Sequence, residues 1–258
     1  MKINPERQIG PGSSRAFSLI EVAVVLVILT VLLTGIAVPL AAQVQMRRYD
    51  ETRRLMDEGR DAILGFAAAN GRLPCPASAQ SNGRESFCVS SSGACAATTA
   101  LQTHGKCSNF YDGYLPGSSL GLAPLDQQGF VLDAWTARIR YAVRDSTSSH
   151  SLTAANGMQS ATMATLSDRD YLSICASGAS VAANGCGAAT LLTDKAPFLL
   201  LSSGPNAATG MPGADELKNI DGDMVFVSRE TTAEFDDIVT WTSLHTLFSR
   251  LMNAGRLP

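Results

Sequence analysis

Hydrophobic and polar residues are segregated along this chain. From residue 17 to residue 42 only Glu21 is charged, and residues 22–38 contain nothing but Val, Leu, Ile, Ala, Thr and Gly. As an α-helix, residues 17–42 rise about 39 Å at about 1.5 Å per residue, enough to cross a hydrocarbon core of about 30 Å. A cleaved secretory signal has a shorter apolar region and ends in a small-x-small cleavage site. The pattern predicts a single membrane-spanning helix.

Helical periodicity continues over 43–71. Thr52, Leu55, Met56, Gly59, Ala62, Ile63, Phe66 and Ala69 recur at i, i+3, i+4 spacing and form one semi-apolar face. The opposite face sets unlike charges one turn apart at Arg47/Glu51, Asp50/Arg54, Arg53/Asp57 and Arg54/Glu58. Asn70-Gly71, with Pro74 beyond, is a helix stop. Residues 72–130 are rich in turn formers, and strands are predicted at 137–144, 171–176, 197–202 and 224–229. Residues 236–241 lead into a terminal helix capped by Thr242 or Ser243, with Gly255 near its end. The fold class is therefore α+β. A long N-terminal helix packs on an antiparallel β-sheet head (72–258) that carries a disulfide-rich loop insertion.

The net charge is −3, and −5 once residues 1–16, with Lys2, Arg7 and Arg15 against Glu6, are set aside. Such a balance argues against nucleic acid as a main partner. All six cysteines lie beyond the apolar run, at Cys75, Cys88, Cys95, Cys107, Cys175 and Cys186, with no CxxC pair. Even number and long gaps favour disulfides in an oxidising compartment over a zinc site. Cys175–Cys186 closes a small Gly/Ala loop, and Cys75–Cys107 enclosing Cys88–Cys95 is the arrangement favoured for the rest. Basic residues flank the apolar run on both sides, so their count does not orient it.

Glu21 stands out, because a carboxylate inside hydrocarbon is costly unless it lies near the interface or is paired. It is either a snorkelling edge residue or a group kept for a partner, such as the amino terminus of a neighbouring subunit. Its surroundings, Arg15-Ala16-Phe17-Ser18-Leu19-Ile20-Glu21-Val22, resemble the processing signal of type IV prepilins and type II secretion pseudopilins. The resemblance implies a leader at 1–16, cleavage between Ala16 and Phe17 by a membrane prepilin peptidase, and N-methylation of Phe17. It also implies docking of Glu21 on the amino group of an adjacent subunit, in a medium that screens charge weakly. Two positions depart from the family pattern. Ala16 replaces the usual Gly, and Pro39, a candidate helix kink, lies one residue beyond the usual proline. The expected setting is the bacterial inner membrane, single-pass, with a periplasmic C-terminal domain. Expected partners are other pilin or pseudopilin subunits, the peptidase/methyltransferase and an inner-membrane assembly platform. Segments 71–76, 120–122, 140–143, 203–206 and 235–241 also resemble the heads of a proteobacterial pseudopilin-like group.

Catalytic signatures are missing. His104, His150 and His245 fall in separate segments, and neither HExxH nor a phosphate-binding GxxxxGK[ST] occurs. No enzyme activity is expected, which leaves a membrane-anchored periplasmic enzyme as the remote alternative. One metal candidate stands: Asp215, Glu216, Asn219, Asp221 and Asp223 concentrate oxygen donors of the kind calcium prefers. Major type II secretion pseudopilins use a calcium loop in this domain. The competing reading is a solvated acidic turn. The predicted function is a structural subunit, minor pilin or pseudopilin, with a surface-displayed, ligand-binding minor pilin as the alternative.

Overall fold

The structure, a computed structural model, describes residues 18–144, 152–159, 162, 164, 171–182, 184–208 and 210–257, and the side chains of 33–41 and 208 lie outside that description. The chain divides into two compact units, Met1–Arg47 and Arg48–Pro258. Helix α1 (Leu19–Asn70) runs through Pro39 without interruption. Among the described residues no helix is long and apolar enough to cross a membrane. Within the apolar segment 17–42 the described side chains are those of 18–32 and 42, with a continuous stretch shorter than the roughly 20 residues a spanning helix needs.

In the second unit α1 buries Thr52, Met56, Ile63, Leu64 and Ala67, while Leu55, Ala62 and Phe66 are half-buried and Ala69 is exposed. The buried stripe is thus rotated slightly from the one the periodicity suggests. At Gly59 an added methyl would sit 2.9 Å from a Leu115 side-chain carbon and 3.3 Å from one of Leu200, so the helix approaches its neighbours too closely for a side chain. Of the four charge pairs expected on the outer face, Arg54–Glu58 forms at 3.0 Å; Arg60 instead takes Asp57 at 3.0 Å and Asp61 at 3.5 Å. Gly71, at φ +65°, ends the helix by returning its N–H to the Ala67 carbonyl.

The head is mixed helix and largely antiparallel sheet. β1 (Phe87–Cys88) and β2 (Ala97–Thr98) form a small ribbon. β3 (Gly113–Tyr114), β4 (Arg140–Val143), β7 (Phe198–Ser202) and β9 (Ile238–Trp241) form an antiparallel sheet in the order β3-β4-β7-β9. A second sheet, β6-β5-β8, is built from β5 (Leu172–Cys175), β6 (Leu191–Ala196) and β8 (Val225–Val227). The four predicted strands fall on β4, β5, β7 and β8, but they are split between two sheets. β5 and β8 pair in parallel, which a purely antiparallel expectation misses. Short helices α2 (Gly117–Leu120) and α3 (Ala214–Lys218) precede the terminal α4 (Leu244–Asn253), whose N-cap Ser243 accepts from the Thr246 N–H.

Strand β7, FLLLS, is buried along its whole length because its two faces serve two cores. Phe198 and Leu200 join Tyr141, Val143, Ile63, Leu247 and Phe248 on the helix side. Leu199 and Leu201 join Leu172, Ile174 and Phe226 on the other. A strand sandwiched in this way reads as a continuous apolar run with no alternation. The disulfides are Cys75–Cys107, Cys88–Cys95 and Cys175–Cys186, the pairings weighed from the sequence, and no cysteine is free.

Candidate functional site

At the N-terminal locus Ala16 and Phe17 lie outside the described residues. Ser18 opens the helix, its carbonyl accepting from Glu21 N at 3.0 Å and Val22 N at 3.2 Å, so Glu21 sits in the first turn of α1. Every described side chain from 18 to 32 is exposed, including Leu19, Ile20, Val27 and Val31. Thr30 turns its hydroxyl inward onto the Val27 carbonyl at 2.8 Å. Apolar side chains on all faces of one helix require a non-aqueous cover, from lipid or from other helices.

The head holds a second locus, built where α3 meets the start of β9. Glu216 is 2% exposed, and both its oxygens are occupied. Oε1 accepts the Asp236 N–H at 2.6 Å, while Oε2 accepts Gly213 N–H at 2.6 Å and Asn206 Nδ2 at 2.7 Å. Asp236 Oδ2 accepts the Asn206 N–H at 3.2 Å, and Asp237 Oδ2 accepts Asn219 Nδ2 at 2.7 Å. One oxygen from each of Glu216, Asp236 and Asp237 lies within 4.8 Å of the others. Burial, then the Glu216 charge, raises Asp236 to about 6 against the Asn206 hydrogen bond. Burial raises Asp237 to about 7; its Asn219 bond and Arg140 oppose the shift, and the charges of Glu216 and Asp236 add to it. A cavity of about 320 Å³ is lined by Glu216 and Asp237 of this locus together with Tyr114, Arg138, Arg140 and Asn206.

The five residues predicted to gather around calcium do not come together. Asp215 pairs with Arg229 at 3.0 Å, Asp221 and Asp223 both pair with Lys218, and Asn219 faces the main chain of Val227. Of the five, Glu216 belongs to the carboxylate locus and Asn219 reaches it through its bond to Asp237. In that locus both Glu216 oxygens, Asp236 Oδ2 and Asp237 Oδ2 accept N–H donors, whereas Asp236 Oδ1 has no hydrogen-bond partner among the described residues. In the sequence Asp236 and Asp237 mark only the lead-in to the last helix. The adjacent pair of acids was the one available signal, and it looks the same in any surface turn. Among the histidines, His104 Nδ1 accepts the Lys106 N–H at 3.0 Å, His245 lies on α4, and His150 is outside the described residues.

Compared with known proteins, residues 12–37 match the prokaryotic N-terminal methylation motif. No curated protein and no solved structure matches the chain. With Glu21 in the first turn of a helix whose described side chains over residues 22–32 are apolar but for Thr30, this chain carries the N-terminal signal of type IV pilins and pseudopilins.

Proposed function

We propose that the chain is a non-enzymatic subunit of a pilus-like filament, anchored in the bacterial inner membrane by residues 17–42 with its head in the periplasm. Prepilin peptidase removes residues 1–16 and methylates Phe17. The mature helix then packs among those of other subunits, with Glu21 pairing to a neighbour's amino terminus and a membrane assembly platform driving insertion. The observation that carries this reading is the methylation motif at 12–37 running into an apolar helix broken only by Glu21. Oxidised cysteines throughout the head support the periplasmic side.

Intact-mass and N-terminal analysis, in cells with and without prepilin peptidase, tests it. A species beginning at methylated Phe17, present only with the peptidase, is expected; an untrimmed mature protein would refute the reading. Within this class, a pseudopilin or minor pilin of a secretion or pilus machine is favoured. The head cavity supports the second reading, a surface-displayed minor pilin that binds a ligand, and recovery of the protein in sheared surface pili would favour that reading.

A further inference from the structure

We infer that Asp236 and Asp237, clustered with Glu216, form a proton-held latch, which keeps the strap of Ser203–Ala207 and Gly210–Gly213 on the head and releases it when both aspartates are charged. The inference concerns the head alone and does not depend on the filament reading.

Both ends of the strap are tied to this locus. Asn206 binds Asp236 through its main chain and Glu216 through its side chain, and Gly213 N–H binds Glu216. The charge facing these acids is insufficient to balance them. From β4, Arg140 faces Asp237, but its guanidinium is also paired with Asp112. Arg138 borders the same cavity and is held by Asp126 at 3.3 Å. From α1, Tyr49 faces Asp236 and Glu216 with a neutral phenol. Arg53 and Asp57 of α1, with Arg229 and Glu230, border a second groove beside Asp237, where their charges offset. Three clustered carboxylates with one shared cation hold a proton more readily than a third negative charge.

Asp236 couples ionisation to the strap in two opposed ways: the Asn206 N–H on Oδ2 favours the charged form, and the covering of Oδ1 disfavours it. Among the described residues, Asp236 Oδ1 is buried without a hydrogen-bond partner. It lies under Gly204, at the root of the strap, where an added methyl would sit 2.3 Å from that oxygen. A neutral carboxyl tolerates this position, whereas a charged one needs water, and the covering chain is the strap. The raised values of Asp236 and Asp237 agree with this ordering. Release would open the cavity that strap residues line together with Tyr114, Arg138 and Arg140.

Hydrogen exchange on the full-length protein in detergent, at about pH 5 and about pH 8 and corrected for intrinsic rates, tests the latch. Strap peptides should lose protection as pH rises, by up to about tenfold per pH unit for one linked proton, while β4 and β7 stay protected. Asp237→Asn should keep the strap protected at the higher pH, with Asp236→Asn as a second variant should the first fold poorly. Wild-type strap protection that is independent of pH would overturn the latch. So would parallel loss in β4 and β7, or pH dependence unchanged in a folded variant.

Discussion

Asn219 completes the outer edge of β8 through Val227. Its Oδ1 accepts the Val227 N–H at 2.6 Å, and its Nδ2 donates to the Val227 carbonyl at 3.1 Å, so one side chain stands in for the next strand. The same Nδ2 donates to Asp237 Oδ2 at 2.7 Å. Only a carboxamide offers an acceptor and two donors in this geometry. The residue thereby joins α3, β8 and the start of β9, and blunts a strand edge that would otherwise be open to unwanted pairing.

Replacing Asn219 with Ala should cost about 2–4 kcal/mol, since two buried main-chain groups and Asp237 lose their partner together. Asn219→Asp should fare worse still above neutral pH, because it adds a carboxylate beside Asp237. Chemical denaturation at matched pH measures both.

Arg72 and Glu85 form a buried two-pronged pair, at 2.6 and 2.8 Å, with Glu85 also accepting the Cys75 N–H at 2.8 Å. The guanidinium stacks over Phe66 at 4.8 Å and Phe87 at 5.6 Å. Arg72→Ala strands the carboxylate and should cost about 3–5 kcal/mol, whereas Arg72→Met combined with Glu85→Gln should recover much of that loss. A double-mutant cycle in denaturant separates the two outcomes.

Stability should fall as pH rises from about 4 to about 7. Asp236, at about 6, and Asp237, at about 7, keep protons in the folded state that the unfolded chain has already released. Asp133, raised by burial against its bonds to Ser202 and the main chain, acts with the same sign. Asp126 is different: although burial pushes it up, the N–H groups of Phe130 and Gln128 and the Arg138 charge hold it below its usual range. Its effect is confined to more acid conditions, where stability falls as pH drops. Melting temperature should therefore be higher near pH 5 than near pH 8, and Asp237→Asn should flatten that difference.

The disulfides should contribute unequally. Cys75–Cys107 spans 32 residues and is buried at both ends, whereas Cys88–Cys95 spans 7 and leaves Cys95 exposed. Chain entropy assigns about 4 kcal/mol to the long loop and about 2 to the short one. Paired Cys→Ser variants should melt in that order, and limited reductant should open Cys88–Cys95 first, as read by mass after alkylation.

Glu21→Ala should leave membrane insertion intact, because it removes the one charge in the apolar run. Incorporation into filaments should fall by about tenfold or more, the effect of losing a charge pair worth somewhat over 1 kcal/mol in a weakly screened setting. Quantifying the protein in sheared or cross-linked filaments checks this.

The sequence by itself determined what depends on neighbours along the chain. An apolar run with one acid behind Ala16-Phe17 is legible without coordinates, as is the helix stop at Gly71. Compact apolar runs marked β4, β5, β7 and β8. β6 carries no strand signal in the sequence because Thr193, Asp194 and Lys195 interrupt it and Leu191 and Leu192 are exposed. Only the tertiary structure decided which acids meet. Asp215, Asp221 and Asp223 lie next to Glu216 in sequence yet turn to Arg229 and Lys218, while Asp236, 20 residues away, shares its buried site. Periodicity is a local property, whereas contact between side chains depends on sheet register and on which strand edge a loop returns to, and neither is written in any short stretch of residues.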